Sequence, residues 1–352
     1  MRILLIVDPD NPVPPTHYGG TERVADLLAR GWSRLGHIVD LLAGPGSIHY
    51  SGRLHLHCSP GRSYPSRVRR KLQFQLQSLW AARDCDAVCN FGRFDYLEAL
   101  LRLRKPILHT FHHPITQPLV DAAEQQQRSA PVLFHCISSH QHAQARFNSP
   151  SVVIHNPIDT GLYRVGDGTG GYLAFLGRLT RNKGVDVALR AARLAQKPLV
   201  LGGPVPAEAG ARAFFEAEVQ PALDRGEARW LGPLDDAGKQ SLLGKAEALL
   251  FPIRWDEPFG LVMTEALACG TPVIATRRAS TPEVIRDGVT GYLCDPVEPD
   301  AKAFAEAIAR LPLIDRAQCR LDVQQRFDVE GIGQQLLEAL QSLALGTCSS
   351  SA

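Results

Sequence analysis

The sequence predicts an α/β protein made of two Rossmann-like domains, each a parallel sheet covered by helices, facing a cleft. Three observations point there. At 352 residues the chain exceeds what one hydrophobic core ordinarily organises, so two units are expected. Short apolar runs alternate with stretches of helical period. Those runs are apolar throughout, as in strands buried on both faces of a parallel sheet. Finally, "YRVGDGTGGY" (163–172) has the glycine density of a linker between two halves.

In chain order, "RILLIV" (2–7), "PILHTF" (106–111) and "VLFHCIS" (132–138) read as core strands of a first domain, residues 1–165. "LAFLG" (173–177), "PLVLGG" (198–203), "ALLFPI" (248–253) and "PVIAT" (272–276) read as core strands of a second, residues 170–325. A last helix within 326–345, "VEGIGQQLLEALQSLAL" (329–345), is expected to cross back to the first domain, and residues 346–352 to form a disordered tail. Ligands of open parallel sheets sit beyond the carboxyl ends of the strands, so the chemistry is expected where two such edges meet.

Composition narrows the function. Apolar residues at 45% and charged residues at 21% describe an ordinary globular protein, and a net charge of +2 gives no reason to expect nucleic-acid binding. Residues 1–160 hold 17 Lys+Arg against 12 Asp+Glu, the remainder 21 against 24, so the halves carry +5 and −3. All 12 histidines lie at or before His155, so imidazole chemistry belongs to the first half. Only five consecutive apolar residues precede Asp8, too few for a signal peptide, and no apolar run is long enough to span a bilayer. Of eight scattered cysteines only Cys85 and Cys89 are close, with no second pair to complete a zinc site. A reduced, cytoplasmic protein without a bound metal is expected.

Chemistry concentrates in "FPIRWDEPFGLVMTEALACGTPVIA" (251–275), a strand, a loop, a helix stopped at Gly270, and another strand. Pro258 biases Glu257 towards an extended backbone and suits a first helical position. The amides of Phe259, Gly260, Leu261 and Val262 then fall among the unpaired donors of the helix start, where an anion, phosphate above all, is favoured. Glu257 stands before that start and Glu265 roughly 6–10 Å beyond it. Two carboxylates would repel a diphosphate unless each accepts hydrogen bonds from neutral hydroxyls. A nucleotide sugar supplies those at both ends, ribose on one side and sugar on the other. The plainer reading is two solvated glutamates at a helix start. "GRLTRNKG" (177–184) adds Arg178, able to fork two phosphate oxygens, and the point charge of Lys183.

"GR-x4-KG", "EPFGLVMTEALACGTPVIAT" and "PEVIRDGVTGYL" (282–293) resemble the donor domain of the family-4 retaining glycosyltransferases. "YGGTERVADLLARGWSRLGHIVDLLAGPGS" (18–47) resembles the opening of the same family; the match is weakest over 48–105. The resemblance implies a metal-independent enzyme of GT-B architecture that moves a sugar from a nucleoside diphosphate to an acceptor with retention. By that analogy Glu257 contacts the donor sugar, Glu265 the ribose, and Arg178 and Lys183 the diphosphate. Gly19 and Gly20, before an amphipathic helix, are placed at a phosphate or acceptor, and His112 in "ILHTFHHP" (107–114) beside the donor sugar. A satisfied core histidine is the reading for His109. A metal site of His109, His112 and His113 has no carboxylate or cysteine to complete it, and His135, His140 and His142 read as loop and helix-surface residues.

No nucleophile is identifiable for a double displacement, so departure and attack on one face of the sugar is the working mechanism. The nucleotide sugar is a co-substrate and no cofactor is implied; a UDP-linked hexose is the first choice of donor and GDP-mannose the next. The acceptor is a glycan, a lipid-linked sugar or a small molecule. A nucleotide-sugar epimerase, a glycoside phosphorylase and a non-catalytic nucleotide-sugar binder are the competing functions.

Two local features carry their own expectations. The family often has glycine where "RRASTPEVI" has Ala279; a left-handed backbone there would cost about 1 kcal/mol, so the loop is expected to differ, with Glu283 capping the next helix. "SRVRRKLQFQLQSLW" (66–80) puts Val68, Leu72, Leu76 and Leu79 on one helical face and Arg67, Arg69, Arg70 and Lys71 at one end. It reads either as a helix docked on its own domain or, from Arg67 to Trp80, as a peripheral contact with an anionic membrane at its cytoplasmic face.

Overall fold

The structure, a computed structural model, describes residues 1–16, 19–57, 64–295 and 300–346. The elements run β1 (Arg2–Ile6), α1 (Gly20–Arg34), β2 (Ile38–Ala43), β3 (Leu54–Leu56), α2 (Tyr64–Ala82), β4 (Ala87–Asn90), β5 (Ile107–Phe111), α3 (Gln117–Gln125), β6 (Val132–Cys136), α4 (Ser139–His142) and β7 (Ser151–Val153). They continue with β8 (Leu173–Leu176), α5 (Val185–Leu194), β9 (Leu199–Gly202), α6 (Ala209–Phe214), α7 (Gln220–Asp224), β10 (Ala228–Trp230), α8 (Asp236–Lys245), β11 (Leu249–Phe251), α9 (Leu261–Ala268), β12 (Val273–Thr276), α10 (Thr281–Val284), β13 (Gly291–Cys294), α11 (Ala301–Ala309), α12 (Arg316–Phe327) and α13 (Val329–Ala344).

Two compact units result, Met1–Pro157 with Val329–Ala352, and Ile158–Asp328. The first holds a seven-stranded sheet in the order β3-β2-β1-β4-β5-β6-β7, the second a six-stranded sheet in the order β10-β9-β8-β11-β12-β13, and every strand pairing is parallel. In the first unit the order reverses between β1 and β4, in the second between β8 and β11. These are the switch points where helices diverge to opposite faces and leave a crevice beyond the strand ends.

β2 shows how a charged residue enters such a core. Asp40 is fully buried, and the Arg2 guanidinium on neighbouring β1 grips both its oxygens, Nε–Oδ2 at 2.8 Å and Nη2–Oδ1 at 3.0 Å. Burial alone would raise this carboxyl's pKa, but the Arg2 bonds and the Arg53 amide outweigh it and hold the group below its usual value.

The boundaries differ from the sequence expectation. The glycine-rich stretch 163–172 is packed against the second unit: the amides of Gly166, Gly168 and Gly170 donate to the carbonyls of Cys269, Gly244 and Lys245 at 3.0, 3.1 and 2.9 Å. Gly166 answers to crowding, since a Cβ there would lie 1.9 Å from the Gly244 oxygen. The chain changes unit instead at 157/158 and 328/329, and there Ile158 and Asp328 pair as an isolated bridge. Helix α13 belongs to the first unit, burying Ile332, Leu336, Leu337, Leu340 and Leu343. The Trp32 indole of α1 donates to the Gly333 carbonyl at 3.0 Å in that contact. The tail expected at 346–352 lies, beyond Gly346, outside the described residues.

Trp32→Phe is expected to destabilise the first unit by about 1 kcal/mol, the net worth of the one buried hydrogen bond it removes. Urea unfolding reads this directly, and an unchanged midpoint would remove the Trp32 bond from the forces holding α13.

Candidate functional site

In the second unit the site is built on the loops that leave the two strands flanking the switch point. "GRLTRNKG" follows β8 and "PIRWDEPFG" follows β11. They are held together closely. Gly184 is left-handed (φ 77°), and a Cβ there would lie 1.8 Å from the Pro252 carbonyl oxygen, so no larger residue fits between the loops. Arg254 ties them further: its amide donates to the Asn182 carbonyl at 2.8 Å and Nη1 to the Arg181 carbonyl at 2.9 Å. Its fork then grips both oxygens of Asp186, at the start of α5, at 2.7 and 2.8 Å.

This frame brings Lys183 and Glu257 together. The Lys183 ammonium pairs with Glu257 Oε2 and lies 4.7 Å from the centre of the Trp255 ring. The Trp255 indole Nε1 donates to the same Glu257 oxygen at 3.0 Å. Arg178, on the loop with Lys183, carries a buried Nε that has no hydrogen-bond partner.

Helix α9 opens later than the sequence suggests, at Leu261, so that Pro258 and Phe259 precede it instead of forming its first turn. Its N-cap, Gly260, is left-handed (φ 84°) and no side chain caps the helix. The Met263 amide closes onto the Gly260 carbonyl at 3.0 Å. The amides of Leu261 and Val262, in the first turn, have no carbonyl within the helix to meet. The Phe259 side chain is core, 1% exposed and edge-on to Phe327 at 5.7 Å, so only its backbone is placed to serve a ligand. Glu265 is 2% exposed; Oε1 receives the Lys239 ammonium of α8 at 2.7 Å, while Oε2 is buried without a partner.

The loop after β12 keeps the left-handed backbone at Ala279 (φ 52°), contrary to the expectation that alanine would alter it. That turn sets Ser280, which is fully buried, so that its Oγ lies 2.8 Å from the Glu257 carbonyl and 2.9 Å from the Phe259 carbonyl. No side chain caps the following α10; Glu283 lies in its first turn, and its carbonyl accepts from Arg326 Nη2.

The first unit, taken by itself, presents His112 just past β5. Its Nε2 is buried and unpartnered, and the ring meets Phe91 edge-on at 4.8 Å. Gln141 fixes the backbone on either side, donating to the Phe111 carbonyl at 2.9 Å and the His113 carbonyl at 2.7 Å. Burial, and then the neighbouring His135, His113 and His109, push the His112 pKa well below its ordinary value, so the ring is neutral and acts through hydrogen bonds. His109 is 3% exposed, bonded to Asn90 at 3.0 Å and ringed by Phe94, Phe111 and Phe134. His135 is no surface residue. It sits on β6, 2% exposed, bonded to Thr110 Oγ1 at 2.9 Å and to the Ile154 carbonyl at 2.7 Å.

Gly19 is extended (φ 169°) and Gly20 begins α1. A Cβ on Gly19 would lie 2.7 Å from Glu22 Oε2, and Glu22, 6% exposed, is held by Asn11 at 3.0 Å. This helix start therefore already has a carboxylate beside it, which opposes a phosphate there and leaves hydroxyl groups as the compatible ligand. His17 and Tyr18 lie outside the described residues.

Residues 18–162 match the family "Glycosyltransferase Family 4", and residues 166–326 match "Glycosyl transferases group 1". The chain belongs to the family-4 glycosyltransferases of GT-B architecture. Among curated relatives of this family, D-inositol 3-phosphate glycosyltransferase of Mycolicibacterium vanbaalenii is 31% identical over 56% of this chain and 48% of its own length. Phosphatidyl-myo-inositol mannosyltransferase of Mycobacterium tuberculosis is 31% identical over 33% of this chain and 32% of its own. The chain thus spans about half or less of the curated relatives it matches. Solved glycosyltransferases share the fold over nearly the whole length. Sucrose-phosphate synthase from Thermosynechococcus elongatus aligns with TM-score 0.78 at 21% identity, covering 98% of this chain and 99% of that one. HepE from Anabaena, in complex with UDP and glucose, aligns with TM-score 0.74 at 21% identity, covering 97% and 100%.

Sequence reasoning missed Lys239, Trp255, Ser280, Arg254 and Gln141. Each acts by holding another site residue, which a motif pattern does not register.

The buried histidines give a pH dependence. The pKa of His109 is pushed down to about 3 and that of His135 to about 4, in each case by burial first. Folded, they stay neutral; unfolded, they take up protons below about 6.5. Their contribution is complete above that pH and is lost from there down towards pH 4 and 3, each costing about 1.4 kcal/mol per pH unit once the unfolded form is protonated. Thermal melts should fall steeply from pH 6.5 to 5; a flat profile would contradict the buried, neutral placement.

Proposed function

We propose that the protein transfers a hexose from a nucleoside diphosphate to an acceptor hydroxyl with retention and without a metal, taking a UDP-sugar as donor, with GDP-mannose as the alternative. The observation that carries the reading is a pair of buried polar atoms without partners, Arg178 Nε and Glu265 Oε2, in the unit that also holds the uncapped start of α9. A buried unpaired donor and acceptor are costly unless a ligand completes them. A nucleoside diphosphate has the complementary chemistry, with phosphate oxygens for Arg178 and the amides of Leu261 and Val262, and ribose hydroxyls for Glu265. The solved HepE complex with UDP and glucose supports this choice of donor.

Glu257 takes the donor-sugar hydroxyl in this reading, and the neutral His112 of the first unit hydrogen-bonds a sugar hydroxyl near the reacting carbon. The anomeric carbon–oxygen bond to the diphosphate breaks, the acceptor oxygen bonds to that carbon on the same face, and its proton passes to the leaving phosphate oxygen. Arg178 and the amides of Leu261 and Val262 stabilise the charge gathering there, while Lys183 holds Glu257. The carboxylate beside Gly19 favours an acceptor that presents hydroxyls rather than phosphate at the α1 start.

Glu265→Ala should weaken nucleoside-diphosphate binding by roughly 1–3 kcal/mol. His112→Ala should lower turnover far more than nucleotide affinity. Calorimetry with UDP and GDP, then turnover of UDP-glucose and GDP-mannose, tests both, and an unchanged affinity in Glu265→Ala would remove Glu265 from the ribose site.

A membrane contact is a second part of the reading, favoured by one observation. Along α2, Val68, Leu72, Leu76 and Trp80 are each between 51% and 60% exposed at four-residue spacing. Leu79, expected on that face, instead packs on the core, and Trp80 takes its place in the outer stripe. Arg69 and Arg83 are exposed on or beside this helix, and Arg83 lies 5.2 Å from the Trp80 ring centre. The side chain of Arg67 is outside the described residues. An exposed apolar stripe edged by cations suits an anionic bilayer surface. Among the described residues no helix is long and apolar enough to cross a membrane. The protein should float with liposomes containing anionic lipid, and Leu72→Asp with Leu76→Asp should abolish it. Flotation that ignores both lipid charge and these substitutions would contradict the contact.

A further inference from the structure

We propose that Trp255 and Ser280 are specificity-determining positioning residues of the donor site, which lock Glu257 so that a single carboxylate oxygen meets the donor sugar. This rests on the nucleotide-sugar reading above and deepens it. Glu257 is held at both ends. On its side chain, the Lys183 ammonium and the Trp255 indole N–H converge on one atom, Oε2, and no described residue bonds Oε1. On its backbone, the buried Ser280 hydroxyl reaches the Glu257 and Phe259 carbonyls together, at 2.8 and 2.9 Å. The left-handed turn at Ala279 directs that hydroxyl to the loop, and α10 is left without a side-chain cap.

Rotation of the carboxylate would break both bonds to Oε2, and the indole ring covering Lys183 restrains the cation that anchors it. A carboxylate free to turn can accept from two vicinal sugar hydroxyls or follow an epimer's displaced one. A carboxylate with one oxygen already saturated offers the sugar only the fixed lone pairs of the other. Discrimination between donors that differ in the orientation of one hydroxyl then follows from the clamp, because the wrong epimer would cover Oε1 without donating to it. Neither Trp255 nor Ser280 touches the nucleotide in this scheme, so their removal separates sugar recognition from nucleotide binding.

The test measures, by calorimetry, the affinities of UDP, UDP-glucose and UDP-galactose (or GDP, GDP-mannose and GDP-glucose) for the unaltered protein, Trp255→Phe and Ser280→Ala. Phenylalanine keeps an aromatic face for Lys183 and removes only the N–H. The unaltered protein should distinguish the two epimeric donors by at least about tenfold, the worth of one buried hydrogen bond to a charged group. Both variants should lose most of that ratio and bind the free nucleoside diphosphate within about twofold of the unaltered protein. Retained nucleotide binding also shows that a variant is folded. Unchanged epimer discrimination in the variants, no discrimination in the unaltered protein, or a parallel fall in nucleotide and nucleotide-sugar affinity would overturn the assignment. Failure of the unaltered protein to bind any of the six ligands would instead remove the donor-site reading on which it stands.

Discussion

The second unit depends on the close approach of the loops that follow β8 and β11. A parallel sheet delivers those two loops to neighbouring positions at a switch point but does not join them. Joining is done by Gly184, which lets the Pro252 carbonyl come close, and by Arg254, which bonds the Asn182 and Arg181 carbonyls and both oxygens of Asp186. Asp186 opens α5, so the guanidinium fastens the β11 loop to a helix rather than only to another loop. Lys183 and Glu257 meet because that clamp exists.

The charges of the site are then matched in pairs. Glu257 has Lys183 and Glu265 has Lys239, both lysines being largely buried in these pairs. A buried ion pair adds little net stability, since desolvation offsets most of the attraction, but loss of one member strands the other. The arrangement explains how two carboxylates flank a helix start without driving off an anion. Each is neutralised by its own cation, and in the proposed reading the helix dipole and Arg178 remain for the diphosphate. The first unit is organised differently. Its site histidine is uncharged and its helix start carries Glu22.

Much of this was legible in the sequence. All seven quoted strands occur, because residues buried on both faces of a parallel sheet leave unbroken apolar runs. β2 was hidden by Asp40, whose charge reads as a break until Arg2 is seen to neutralise it. The edge strands β3, β7 and β10 have three residues each, too few for a pattern. Glycine density at 163–172 was mistaken for a linker because close packing and flexibility demand the same residue. His135 looked peripheral because a polar residue in an apolar run reveals nothing of Thr110 and the Ile154 carbonyl, its bonding partners. Among the candidate site residues, Glu257, Glu265, Arg178 and Lys183 could be named from their motifs. Trp255, Ser280 and Lys239 could not, since their roles exist only once separate loops are folded together.

The central claim is that the second unit binds a nucleoside diphosphate sugar through Arg178, the start of α9 and Glu265. A crystal structure of the protein with UDP-glucose or GDP-mannose tests it most directly. The account predicts diphosphate oxygens about 2.7–3.2 Å from Arg178 and the Leu261 and Val262 amides, and ribose hydroxyls at the same range from Glu265 Oε2. A nucleotide bound elsewhere, or one whose ribose and phosphates leave both Arg178 Nε and Glu265 Oε2 untouched, would contradict it.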